Sequence, residues 1–458
     1  MVARTMTVFW FVVSLGIAIL RGQEPAGGPM GPSVAGYRSI QEALKANPGR
    51  RVFVPAGDYE ISEKIQIRGD NAGLFGPGRI IQTNPALPIL EIEHAACVEI
   101  RDLILTRAKG RTDTKAEAVL AVDCRDLVLE NLQVRDNRTC SGAIVLRECV
   151  GAQIRHCRIH NYMRLSIDDR TANPDLGYAF RCIDGTGIVV KHASRAVLLE
   201  GNRIVEDNLL PTPEIKRKHD LGKFTKKNAK KGSLIGQKAW DEQYVNNWHQ
   251  GSAIVVTSPK TTGYTQILGN SIENAAQGID IHADHVIVAQ NIVHNAFMGM
   301  KAMHGSRNVL ILGNQFSKND LWSIGLMPGS ASHAAAARPL GTADAPPDAN
   351  VDGGTIVANN IISDFGYGAS RWIWEGHDCC PIRLDTGQKP DNPPLTDVVL
   401  QGNVVYDPGR EAAPRVVPPR YKYAVYVATG HGGPVGIHFA NNLFHPGTSG
   451  MANIELKP

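Results

Sequence analysis

The sequence predicts an all-β, single-domain chain wound as a β-solenoid. Three observations carry that expectation. One phrase returns along most of the chain, each copy is rich in β-branched residues and leucine, and a single helix-like segment precedes the first copy. The phrase reads VLLEGNRIVEDN (197–208), QILGNSIENA (266–275), VIVAQNIVHNA (286–296), VLILGNQFSKND (309–320), TIVANNIISDFG (355–366), VVLQGNVVYDPG (398–409) and GIHFANNLFHPG (436–447). Its shared asparagines are Asn202, Asn270, Asn291, Asn314, Asn360, Asn403 and Asn442, and Leu103, Leu132 and Cys157 occupy the same slot in earlier copies.

The uninterrupted spacings are 21 residues from Asn270 to Asn291 and 23 from Asn291 to Asn314. A unit that short holds several short strands and turns, and its β-branched content excludes a helical solenoid. Such a coil stacks equivalent positions about 4.8 Å apart, so each Asn is expected to lie over the next. A tight inward corner buries backbone groups, each of which costs about 1–3 kcal/mol if left unsatisfied. A column of side-chain amides supplies those bonds, so the Asn ladder is read as architecture. Wider spacings leave two possibilities open: inserted loops, or extra turns whose Asn has been lost.

The N-terminal element follows the same logic. Residues 40–46 have helical spacing, and VFVPAGDYEIS (52–62) then reads as strand, turn and strand. A short amphipathic helix there would close the open apolar end of the coil. Together, "QEAL…GRRVFVPAGDYEIS" and the following Asn repeat resemble the pectin-lyase-like superfamily of secreted carbohydrate-active proteins, over roughly residues 36–450. The resemblance implies a right-handed parallel β-helix with an N-terminal helical cap and long loop insertions.

Three stretches interrupt the coil: a basic one (209–249), an Ala/Pro-rich one (328–350) and an aromatic one (363–396). Ahead of the coil, Arg4 precedes the apolar run Val8 to Leu20, which is too short to span a bilayer. It reads as a signal peptide ending near Gly22, placing the mature protein outside the cytoplasm, secreted or periplasmic, without stable membrane insertion. Formal charge is +4, yet residues 211–231 alone hold eight Lys or Arg against two acids. Basicity is therefore local and suits an acidic partner. It lacks aromatic interleaving and any nucleic-acid motif, which excludes nucleic acid as the expected partner. Of the eight cysteines, Cys124 and Cys149 fall where later repeats have Ser194, Ala283 and Ser306, a column of small inward side chains. No spacing for a metal occurs.

Alternation along the strands after each Asn selects an outward column. It comprises Ala253 and Val255, Asp280 and His282, Lys301 and Met303, and then Arg383, Asp385 and Tyr426. His304 follows in the next turn. Trp248, His249, Trp322, Trp372 and Trp374 fall in turns or insertions beside these strands, where flat rings could face sugars, although each alone fits packing equally well.

The superfamily hosts several chemistries, so fold leaves function open. Its polysaccharide lyases neutralise a uronate carboxylate, remove the adjacent proton and protonate the leaving oxygen. The resemblance thus implies Lys301 as base, Arg383 and His282 on the carboxylate, and Asp280 orienting His282, with His304 nearby. The substrate class is an acidic polysaccharide; no cofactor is expected, with calcium the one ion left open. Lys301 equally fits a surface lysine lying over Met300 and Met303.

A glycoside hydrolase is the alternative, with Asp168, Asp169, Asp280, Glu375, Asp378 and Asp385 as its candidate carboxylates. The polygalacturonase-like pattern is disfavoured, because Asp169 and the GHG at 430–432 lie 261 residues apart and cannot meet on a stack. The calcium-pectate-lyase pattern is absent. Non-catalytic glycan binding is the third reading.

Overall fold

The computed structural model describes residues 31–165, 183–207, 251–334, 349–368, 379–406, 419–430 and 432–456. These residues form a right-handed parallel β-helix of three long sheets, each of 12 strands. Sheet I runs from Arg51–Phe53 to Val435–Ala440, sheet II from Asp58–Ile61 to Leu443–Phe444, and sheet III from Ile65–Ile67 to Gly450–Ala452. One full turn is Asp284–Ala289, Ile292–His294 and Met298–Met303. A continuous apolar core follows the axis, from Val34 and Leu44 to Phe439 and Phe444.

The corner between sheets I and II explains the repeated phrase. Each ladder Asn follows a residue in the left-handed region, such as Gln290 (φ 59°) or Gly313 (φ 63°), which turns the chain inward. Asn291 donates its backbone N–H and its Nδ2 to Asn314 Oδ1, both at 2.9 Å, and Nδ2 also donates to Ile267 O at 2.9 Å on the preceding turn. The same pattern links Asn202 to Asn270, Asn270 to Asn291, Asn314 to Asn360, Asn360 to Asn403, and Asn403 to Asn442. Bonds across 68 residues (Asn202 to Asn270) and 46 residues (Asn314 to Asn360) show that the wide spacings are insertions. Cys157, which holds the same slot, donates its N–H to Asn202 Oδ1 at 3.0 Å.

The cap is helix Ile40–Ala46, with Ser39 accepting from the Glu42 N–H and Ile40, Ala43 and Leu44 turned inward. Gln41 also covers a strand edge: its Nε2 donates to Gln66 O (3.0 Å) and its Oε1 accepts from Gln66 N (2.7 Å). A side-chain amide thereby stands in for a further strand, which hides an edge that would otherwise template association. The small-residue column also forms, since Cys124, Cys149 and Ser194 are fully buried and Cys149 N donates to Ser194 Oγ at 3.1 Å. Cys124, Cys149 and Cys157 are thiols packed in the core rather than members of a disulfide framework. No helix among the described residues is long and apolar enough to cross a membrane.

Candidate active site

Sheet III aligns the predicted charged residues in one column. Val255 pairs with Asp280, Asp280 with Lys301, Lys301 with Gly325, Gly325 with Arg383, and Arg383 with Tyr426. Ala253, expected on that face, belongs instead to the core and is fully buried. Strict alternation breaks where these strands begin: a Cβ on Gly278 would meet Val293 Cγ1 at 2.6 Å, and one on Gly299 would meet Phe316 Cδ1 at 2.8 Å. The strand starts therefore bend inward, and only small residues fit there.

Asp280 is the hub. Its Oδ1 lies 2.8 Å from His282 Nε2 and its Oδ2 lies 3.3 Å from Lys301 Nζ, with all three side chains mostly shielded from water. Burial alone would raise the Asp280 carboxyl, but the charges and hydrogen bonds of His282 and Lys301 outweigh it and hold the group far below the usual carboxylate range. The second contact follows from register, which sets Lys301 beside Asp280 of the preceding turn. His282 in turn meets His304 edge-on, with ring centroids 4.8 Å apart.

Arg383 forms the other pole. Its Nε donates to Asp385 Oδ2 at 2.8 Å, and its guanidinium carbon lies 4.7 Å from the Tyr426 ring centroid and 6.0 Å from that of Trp322. Burial would lower its pKa, but the Asp385 bond and charge more than compensate, so Arg383 remains a fixed cation. Trp322, expected as a sugar platform, is only 7% exposed and packs with Met298, Met303, Met327 and Cys380. Its ring shapes the bed under Arg383. Met300 points into the core and Met303 onto the outer face, so Lys301 lies over one methionine of the expected pair.

Gly325, between Lys301 and Arg383 in register, is buried beneath the Trp322 ring and Met327, and it spaces two cations whose Cα atoms are about 10 Å apart at two strand spacings. It escaped sequence reasoning, although aligning WSIGLM with MGMKAM places it directly after Lys301. Asp352 also escaped, because it lies in irregular chain. Its buried carboxylate accepts from Gly305 N at 3.0 Å, from Ser306 N at 3.1 Å and from the Ser332 hydroxyl, fixing the turn that carries His304. Burial pushes Asp352 up to about 6 despite those bonds and the charge of His282.

Trp248, His249, Trp372 and Trp374, as well as Asp168, Asp169, Glu375, Asp378, the signal region and the basic segment, lie outside the described residues. Among the described residues, no three His, Cys, Asp or Glu side chains converge as a metal site.

No protein-family model matches the sequence, and no curated protein is similar enough to count as a relative. Solved structures do resemble the fold. The catalytic domain of a GH87 α-1,3-glucanase in complex with tetrasaccharides matches with a TM-score of 0.55 at 10% identity, over 94% of this chain and 67% of that one. The mannuronan C-5 epimerase AlgE6 A-module of Azotobacter vinelandii gives 0.49 at 13% identity, over 91% of this chain and 99% of that one. A PL6 alginate lyase in complex with a trisaccharide gives 0.49 at 12% identity, over 93% and 88%. The likeness is one of fold, the right-handed parallel β-helix.

Proposed function

We propose that the protein is a carbohydrate-active enzyme cleaving an acidic, uronate-containing polysaccharide by β-elimination on the outer face of sheet III. The observation that carries this reading is the in-register column in which Asp280 holds both His282 and Lys301, with Arg383 two strands beyond Lys301. The glucanase fold, whose solved complex holds tetrasaccharides, supports a carbohydrate as the ligand class.

Each group has a task. Arg383, held by Asp385, neutralises the uronate carboxylate and makes the proton on the adjacent carbon more acidic. The ion pair with Asp280 favours Lys301 as the proton donor, and the same carboxylate accepting from His282 Nε2–H leaves Nδ1 as the basic lone pair. His282, first expected on the carboxylate, therefore takes the role of base first given to Lys301, and Lys301 becomes the acid. His282 takes the proton, the freed electron pair forms the ring double bond, the bond to the leaving oxygen breaks, and Lys301 protonates that oxygen.

Hydrolysis fits less well. It needs two carboxyl groups about 5 to 9.5 Å apart. Of the candidate carboxylates among the described residues, Asp280 and Asp385 stand three strands apart, roughly 14 Å, and each is already committed to cationic partners.

The test is incubation of purified protein with uronate, sulfated and neutral polysaccharides. Growth of ultraviolet absorbance from an unsaturated uronate, lost in both His282→Ala and Lys301→Ala, is the expected outcome. New reducing ends without that absorbance would replace elimination by hydrolysis, and activity undiminished in both variants would move the chemistry elsewhere.

A further inference from the structure

Sheet II carries a second polar groove, on a different face from the Asp280 column. Strands Gln133–Arg135, Arg158–His160, Arg203–Val205 and Ser271–Glu273 form its floor, and its volume is about 640 Å³. That lies within the range of about 300–1,000 Å³ typical of ligand sites.

The floor contains an unfavourable pair. Arg158 and Arg203 are directly in register on adjacent strands, with like charges facing the same way. Like charges directly opposite one another across strands are destabilising unless something lies between them. Little in the protein relieves this pair: Arg203 reaches Glu273 only at 3.8 Å, and Arg158 makes no ion pair among the described residues. Arg135 lines the same groove two positions further along its strand, beyond the Gln133 that pairs with Arg158.

The wall beside them is built of fixed acceptors. Asn161 Nδ2 donates to Asp136 Oδ1 at 3.0 Å and to Asp207 Oδ2 at 2.9 Å, while His160 Nε2 lies 2.6 Å from Asp207 Oδ1. Positive φ at Asp136 (54°) and Asn161 (56°) places this wall at the corner where sheet II ends. A simple anion would be repelled by these carboxylates, and a neutral sugar would leave the arginines unpaired. An acidic sugar satisfies both, with its anionic group on Arg158 and Arg203 and its ring hydroxyls donating to Asp136 and Asp207.

We propose that this groove is a secondary binding site for an anionic segment of the polysaccharide that the sheet III face cleaves. It rests on the substrate class proposed above. Since the two sites occupy different sheets, a chain held here anchors the enzyme on polymer without entering the catalytic column.

The experiment compares wild type with Arg158→Ala/Arg203→Ala by affinity electrophoresis in gels containing polyuronate, a sulfated glycan or dextran, and by kinetics on polymer and on a trisaccharide. Expected is a threefold to tenfold drop in retention by polyuronate, larger at low salt, with about two weak ion pairs lost. KM on polymer rises by a similar factor while kcat on the trisaccharide is unchanged. The charge-conserving double variant Arg158→Lys/Arg203→Lys should recover most of the retention. Unchanged retention in the alanine variant overturns the proposal. Arginine-dependent retention by the sulfated glycan, with no retention or cleavage of polyuronate, would keep the groove as an acidic-glycan site while the uronate reading fails.

Discussion

Asp280 stands one strand before Lys301 in direct register and holds its Nζ at 3.3 Å while also bonding His282 at 2.8 Å. One buried carboxylate therefore organises both proton-handling groups. Asp280→Asn keeps the shape and removes the charge, so Lys301 loses its counter-ion and His282 the carboxylate that fixes its orientation. Activity is expected to fall by roughly 10²- to 10⁴-fold in kcat, as for loss of acid–base catalysis. Because Asp280 is held below its unfolded value, its stabilisation is present above about pH 4 and is lost as pH falls through the folded pKa. Urea midpoints measured from pH 2 to 5 should drop less steeply in Asp280→Asn than in wild type.

Gly325 separates Lys301 from Arg383, and a side chain there would push on the Trp322 ring that forms the bed under Arg383. A Cβ there meets Trp322 Cε3 at 3.1 Å and Met327 Cε at 3.3 Å, so both the ring and the methionine must give by a few tenths of an ångström. Gly325→Ala is expected to keep its melting temperature within a few degrees and lose about tenfold in kcat/KM. Gly325→Leu should abolish activity with the far-ultraviolet circular dichroism intact. A fully active leucine variant would show that the chemistry does not depend on the Trp322 bed between Lys301 and Arg383.

The ladder and the active face were legible in the sequence for the same reason: in a stacked coil, equivalent positions meet, so spacing reports contact. Asn202 through Asn442 could be read as a column because one residue type solves one corner repeatedly, and Arg383 could be placed on the face of Lys301 by alternation alone. Ala253 was misplaced because alternation fails where the strands bend inward at Gly278 and Gly299. Trp322 was taken for a platform because sequence shows a large ring near a groove but not the methionines around it. Asp352 and the Arg158/Arg203 groove had no signal of their own, since one lies in irregular chain and the other emerges only when sheet II is assembled.

The ladder predicts a positional gradient in stability. Asn291 bonds turns on both sides and is fully buried, whereas Asn442 ends the stack and is partly exposed. Asn291→Ala leaves Asn270 N–H without its partner, removes the bonds from Asn270 Nδ2 and to Ile267 O, and is expected to cost about 2–4 kcal/mol. Asn442→Ala should cost about 1 kcal/mol. Urea unfolding of both variants tests the gradient, and equal losses would refute it.

Asp352 predicts the opposite pH response to Asp280. Its folded pKa of about 6 lies above the unfolded value, so the native state holds its proton between about pH 4 and 6 while the unfolded chain has lost it. Stability from this group is full below pH 4 and declines as pH rises through 6, by about 2–3 kcal/mol in all. Asp352→Asn cannot ionise, so that decline should vanish and the variant should gain on wild type as pH rises from 4.5 to 7. Urea midpoints at those two pH values give the comparison. The same ionisation changes the charge behind Gly305 and Ser306, which set the turn bearing His304 beside His282. A pH–rate profile for polysaccharide cleavage should therefore lose an inflection near pH 6 in Asp352→Asn, while Asn442→Ala, remote from the turn, leaves it in place.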